Sequence, residues 1–238
     1  MFKIKMADFV IEIDNKYDFI EKQCRDYITR EQNIDFHISC SEKDIEEEKS
    51  KNKECNFQNG YIESVCIYRN LCLILPKYDA FVMHAAVIET GGMAYAFTAK
   101  SGTGKSTHIM LWKKYLGEEN VTIVNGDKPI LRLINGELFA YGTPWCGKEG
   151  WNTNTKAKLN GICFIERDEI NHIEQISRYD AATRIIKQIL IPTDEECAIK
   201  TFELVDKMIN MTNAWILSCN ISLEAAKIAY ETMLKEQL

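Results

Sequence analysis

No apolar run in the sequence approaches the ~20 residues that cross a bilayer as a helix, and no two cysteines stand as a C-x-x-C pair. The first absence leaves no membrane span to expect, and the second removes the usual spacing of zinc and dithiol sites. Histidine is scarce, at four dispersed residues, so a zinc centre is not expected. Basic excess is missing too: a net charge of −6 and a pI near 5.4 argue against a general nucleic-acid binder, which needs a basic face. No internal repeat is visible. The opening "MFKIKMADFVIEID" carries acids too early for a secretory leader. With nine scattered cysteines, an odd number, the chain reads as a reduced, cytoplasmic protein, and Cys66 and Cys72 read as core fillers.

What is present suits a folded globular chain, with 46% apolar and 27% charged residues over 238 positions. "KIKMADFVIEI" reads as a strand, "YDFIEKQCRDYI" as a helix and "IDFHIS" as a short strand. The polar run 41–56, with Ile45 isolated in it, reads as a solvated connector. Residues 1–57 thus form a small N-terminal α+β segment, and 58–238 the main domain. "GYIESVCIYRNLCLILPKY" is helical and is stopped by Pro76. "AFVMHAAVIE" and "MAYAFTA" are strands joined by "TGG", and Asn135-Gly136 marks a second hairpin. "NVTIVNGD" and "LNGICFIER" are strands. From about Ala181 the chain is mostly helical, with a break at Pro192 and a short strand at "AWILSCN". The hairpins argue for a mixed sheet rather than a doubly wound parallel one.

Between strand and helix lies "AKSGTGKST". Small residues there let the backbone curl around phosphate oxygens, and the helix start offers free N–H groups and the positive end of its dipole. Ser101, Gly102, Thr103 and Gly104 would form the cradle, with Thr107 a second hydroxyl beyond Ser106. Lys105 would reach the β- and γ-phosphates and Ser106 would ligate Mg²⁺. Ala99 stands where the pattern G-x-x-x-x-G-K-[ST] begins with glycine, a departure that alanine tolerates if its φ stays negative.

Asp127 ends the next strand, "TIVNGD". It is the candidate metal ligand or base, against the plainer reading of a turn aspartate capping its own backbone. His84 in "FVMHAAV" either polarises that acid or bonds across the sheet. His108 is expected on a helix surface. In "GTPWCGKEGWNTNTK", Trp145, Lys148 and Glu149 either clamp a substrate, or the tryptophans bury and the lysine is solvated. Arg167 and Arg184 read as surface salt bridges before phosphate contacts.

On "MHAAV", "AKSGTGKST" and "TIVNGDKPILRL", the chain resembles the kinase domain of the HPr serine kinase/phosphorylase family, whose fold is shared more distantly by ATP-dependent phosphoenolpyruvate carboxykinases. The likeness covers roughly residues 80–165. "YGTPWCGKEGW" looks like the matching segment of small HPr-kinase-like proteins of unassigned substrate. The resemblance implies a P-loop fold of α/β (mixed α+β) class, a mixed sheet with hairpins and flanking helices. It carries the loop lysine and hydroxyl to Lys105 and Ser106, the family's histidine to His84, and the second of its paired aspartates to Asp127. The first aspartate, the acceptor base in the family's kinases, falls on Gly126. Either Asp127 serves both roles, or another acid such as Glu149 supplies the base, or catalysis is impaired.

The implied activity is ATP- and Mg²⁺-dependent phosphoryl transfer to a hydroxyl, on a serine of a small protein or peptide or on a small metabolite. The alternative is a catalytically impaired nucleotide-binding regulator or scaffold. Neither nucleic acid nor membrane is expected as a partner, and a homo-oligomer is compatible with the family's habit of assembling.

Overall fold

The computed structural model describes residues 1–51 and 57–235. The N-terminal sheet begins with strands β1 (Phe2–Met6) and β2 (Phe9–Asp14), which pair antiparallel. "KIKMADFVIEI" is therefore a hairpin and not one strand. Its turn falls on Ala7 and Asp8, at φ 53° and 60°, a left-handed pair that a non-glycine turn adopts when tertiary bonds hold it. The Asp8 carboxylate supplies such bonds, accepting from the Tyr141 hydroxyl at 2.6 Å and the Lys156 ammonium at 2.7 Å. Helix α1 (Asp18–Gln23) continues into a 3-10 turn at Arg25–Tyr27, and β3 (Phe36–Ser39) adds to β2 in parallel.

The expected connector is a helix over most of its length, α2 (Glu42–Lys51); residues 52–56 of that expectation lie outside the described residues. The physical reason is a capping box. The Ser41 hydroxyl accepts from the Asp44 N–H at 3.1 Å, and Asp44 accepts in return from the Ser41 N–H at 2.7 Å. Ile45 is buried, and Glu48 receives Arg69 at 2.5 Å. One apolar anchor and one ion pair seat an otherwise polar helix.

Helix α3 (Asn59–Ile74) buries Ile62, Cys66, Ile67 and Leu71, a stripe at helical spacing, and gives way to a 3-10 turn at Leu75–Tyr78 around Pro76. This stripe, the N-terminal sheet and Val82, Ile130 and Tyr141 of the main sheet share one apolar cluster.

The main sheet is mixed and has nine strands: β4 (Ala80–Val82), β5 (Ala86–Thr90), β6 (Met93–Thr98), β7 (Thr122–Asn125), β8 (Ile130–Ile134), β9 (Glu137–Tyr141), β10 (Lys156–Arg167), β11 (His172–Gln175) and β12 (Asn213–Cys219). Tight turns at Gly91–Gly92 and Asn135–Gly136 close the two expected hairpins. The central strand β10 runs parallel to β6. Its other edge pairs with β9 at Lys156–Lys158 and then with β12 from Gly161, so the sheet curls. "AFVMHAAVIE" is two strands: the ladder breaks at Met83–Ala85, where Met83 and Ala85 donate to the carbonyls of Pro129 and Asp127 and His84 donates to Gln188.

Alternation along β6 sorts the two faces. Ala94 and Ala96 join the cluster under α5 (Arg178–Ile185) and α6 (Glu195–Met211). Tyr95 and Phe97 join the cluster under α4 (Lys105–Leu116) and α7 (Leu223–Lys235). Each fully buried side chain of Phe or Ile size contributes about 1.5–3 kcal/mol, which fixes the sheet and with it the strand ends. Among the described residues, no helix is long and apolar enough to cross a membrane.

Candidate functional site

Loop 99–104 leaves the end of β6 and enters α4. Gly102 and Gly104 take φ of 79° and 128°, and an added Cβ at either would meet nothing within 4 Å. The requirement for glycine here is thus conformational, and the space above the loop is open. No side chain caps α4, so the amides of its first turn have no intrahelical acceptor and face that space. Ala99 stays out of the left-handed region and packs its methyl group into the core under α4 and α7. The glycine expected from the loop pattern is therefore not needed at this position.

Arg167, at the end of β10, braces the loop from behind by donating to the carbonyls of Thr103, at 2.9 Å, and Gly102. The sequence read it as a salt bridge or phosphate contact. The register of β10 on β6, Phe164 against Thr98, is what brings it beside the loop, and pairing of strands so distant in sequence leaves no local signal. Arg184 does form the expected salt bridge, to Glu166 at 2.7 Å.

Lys105 is only 7% exposed, yet among the described residues no carboxylate lies within ion-pair distance of its ammonium. Its Nζ lies 2.9 Å from His84 Nε2 and 3.5 Å from the Ala99 carbonyl. Burial lowers its pKa, against an opposing attraction from Asp127. On the other side of the ring, His84 Nδ1 lies 3.0 Å from Gln188 Oε1.

Asp127 follows β7 in an Asn-Gly-Asp turn. The Asn125 side chain accepts from the N–H groups of Asp127, at 2.8 Å, and Lys128, at 2.6 Å. The turn-capping residue is thus Asn125, which leaves the Asp127 carboxylate free for other partners. Oδ1 lies 3.1 Å from His84 Nε2 and Oδ2 lies 3.4 Å from Lys128 Nζ. Burial pushes its pKa up, but the His84 hydrogen bond and the Lys128, His84 and Lys105 charges outweigh it, and the carboxyl titrates below its ordinary value.

His84 Nε2 cannot both accept from Lys105 and donate to Asp127. With Nε2 2.9 Å from the ammonium and 3.1 Å from the carboxylate, one tautomer accepts from Lys105 and the other donates to Asp127. An anion that drew Lys105 away would free Nε2 to carry a proton and donate to Asp127.

A cavity of about 420 Å³ collects these groups: His84, Ser101, Gly102, Gly104, Lys105, Ser106, Thr107, Gly126, Asp127, Lys148 and Glu149 all line it. Thr103 belongs to the same loop but lines the neighbouring cavity. Trp145 lines neither; its indole N–H donates to the Ser64 hydroxyl at 3.0 Å and its ring packs on Tyr68. His108, expected on the surface, is buried: it accepts from the Trp112 indole N–H at 2.9 Å, and burial drives its pKa down to about 3. Aromatic neighbours Phe97 and Trp112 turn it inward.

Loop 143–152 covers Gly126. Gly126 donates to the Trp151 carbonyl at 2.8 Å, and a Cβ on it would sit 3.0 Å from the Cys146 carbonyl oxygen and 3.3 Å from that of Trp151. The N-terminal layer holds this loop in place. Gln23 donates to the Pro144 carbonyl at 3.0 Å, and the Tyr27 hydroxyl donates to Asn152 Oδ1 at 2.9 Å.

No protein-family model matches the chain, and no curated protein sequence matches it. Among solved structures it is similar to the HPr(Ser) kinase/phosphatase from Coxiella burnetii, with a TM-score of 0.37 and 12% identity, over 66% of this chain and 99% of that one.

Proposed function

We propose that the protein is a phosphotransferase that binds ATP in the loop cavity and transfers the γ-phosphoryl group to a hydroxyl. The observation that carries this reading is the buried ammonium of Lys105, unpaired with any carboxylate among the described residues and lining one cavity with the start of α4. A cation in that position is poorly compensated by protein alone and well compensated by phosphate oxygens. Ser101, Gly102, Gly104, Lys105, Ser106 and Thr107 hold the phosphates.

The donor set also fits magnesium: Ser106 and Asp127 offer hard oxygens on the same cavity, and Mg²⁺ is commonly held by one or two protein oxygens together with substrate phosphates and water. When bound, the ion supplies charge neutralisation on the phosphates.

The acceptor hydroxyl oxygen attacks the γ-phosphorus, the bond to the β–γ bridging oxygen breaks, and ADP leaves. The hydroxyl proton passes to Asp127, which its low pKa keeps ionised at neutral pH. Such transfer relies mainly on positioning and charge stabilisation, so a weak base suffices. Lys105, drawn onto the phosphates, releases His84 Nε2 to bond Asp127 and hold it in place.

A second reading, a nucleotide-binding regulator or scaffold, is favoured by one feature: glycine stands where the resemblance would place a second acid, and the Cys146 and Trp151 carbonyls crowd any side chain put there. The test is transfer of label from γ-labelled ATP across a panel of hydroxyl acceptors. Acceptor-dependent labelling that Asp127→Asn abolishes supports the kinase. Nucleotide binding with no labelled acceptor supports the regulator.

A further inference from the structure

His84 also lines another cavity, of about 340 Å³, two of whose lining residues, Lys187 and Gln188, line as well the cavity that borders the phosphate loop at 98–103. Three cations line it, each from a different element: Arg69 from α3, Lys128 after β7 and Lys187 after α5. Among the described residues no carboxylate lines it. Arg69 is partly engaged by Glu48 at 2.5 Å and Lys128 by Asp127 at 3.4 Å, each leaving N–H donors over. Lys187 makes no ion pair among the described residues and lies exposed at the rim. The remaining wall includes Val65, Val82 and Leu190.

We infer that this cavity is the acceptor pocket of the proposed transfer, and that the acceptor carries an anionic group, carboxylate or phosphate, beside its reacting hydroxyl. The inference rests on the phosphoryl-transfer reading. Position supports it: Lys128 pairs with Asp127, His84 lines both this cavity and the loop cavity, and Lys187 and Gln188 line both this cavity and the one bordering loop 98–103, so a ligand held here by its anion lies beside the phosphate site. Charge supports it as well, because an acid-free pocket with three cations selects against neutral and cationic ligands and draws anions in. Apolar walls beside a few polar anchors are the usual make-up of a small-ligand pocket. Arg69 would tie recognition to the N-terminal layer.

The test titrates matched ligands into the full-length protein, both free and saturated with Mg²⁺ and a non-hydrolysable ATP analogue. One pair is 3-hydroxybutyrate against 3-hydroxybutyramide, and a second is glycerol 3-phosphate against glycerol. At least one anion is expected to bind about tenfold or more tighter than its neutral partner. Lys187→Gln is expected to erase that preference in the free protein and in the nucleotide-saturated protein alike. Which pair responds tells carboxylate from phosphate. Equal binding within both pairs, or a preference that Lys187→Gln leaves intact, overturns the inference. If the ATP analogue itself fails to bind, the nucleotide reading falls, while the same pairs on the free protein still decide the pocket.

Discussion

His84 Nε2 and Lys105 Nζ lie 2.9 Å apart across the cavity wall, with the Asp127 carboxylate 3.1 Å from the same ring nitrogen. One nitrogen therefore serves two partners that require opposite protonation of it. While Lys105 donates to the ring, Nε2 cannot donate to Asp127; a phosphate that drew the lysine away would leave the ring to Asp127.

Asp127→Asn tests that exchange. The amide is close in shape but cannot take up the acceptor's proton. Nucleotide affinity without Mg²⁺ is expected to change little, while transfer falls by about 10²–10⁴-fold, the usual worth of a positioned acid or base. Calorimetry with an ATP analogue and labelled transfer read the two effects separately. Full transfer by the variant would remove Asp127 from the chemistry.

Gly126→Asp restores the acid that the resemblance would place there. The added Cβ meets the Cys146 carbonyl oxygen at 3.0 Å and that of Trp151 at 3.3 Å. Overpacking of this kind costs about 1–3 kcal/mol. A lower urea midpoint with no gain in transfer is expected. A stable, faster enzyme would mean that loop 143–152 yields readily.

Tyr27→Phe probes the hold of the N-terminal layer on that loop. It removes the 2.9 Å bond to Asn152 and leaves that amide oxygen short of a donor, at a cost of about 1–2 kcal/mol. Because Lys148 and Glu149 ride on the loop, KM for the acceptor is expected to rise more than kcat falls. Unchanged KM would make the layer a purely structural support.

His108 should make stability depend on acidity. Its pKa of about 3 lies below the ordinary 6.5, so between those values the unfolded chain binds a proton that the folded chain refuses. Stability is then complete above pH ~6.5 and declines as pH falls toward ~3, by about 1.4 kcal/mol per unit. His108→Gln keeps an acceptor for the Trp112 N–H and removes the titration. Thermal melts from pH 4 to 7 are expected to show a shallower slope for the variant. Parallel slopes would place the acid sensitivity elsewhere.

Much of the site was legible because it is local. The phosphate loop, its lysine and hydroxyls, and the Asn135-Gly136 hairpin follow from residues that are neighbours in the chain. What escaped depends on pairing across long separations. The bracing of the loop by Arg167 needs the β10–β6 register, and the place of Gln188 beside His84 needs the break in "AFVMHAAVIE" to be filled by backbone from two distant turns. The inward face of His108 is set by Phe97 on another element. Helix α2 was missed for a different reason: its polar composition hid a capping box and one anchoring isoleucine.

The most direct measurement is an ATP titration by calorimetry, with Mg²⁺, on the unaltered protein and on Lys105→Ala. A hydrogen bond to a charged group contributes about 1.5–3 kcal/mol, roughly ten- to a hundredfold in affinity. The expected result is saturable binding to the unaltered protein, and affinity reduced at least about tenfold in a variant whose thermal melt shows it folded. Equal affinity in the two proteins, or no binding to either, would contradict the assignment of the loop cavity as a nucleotide site.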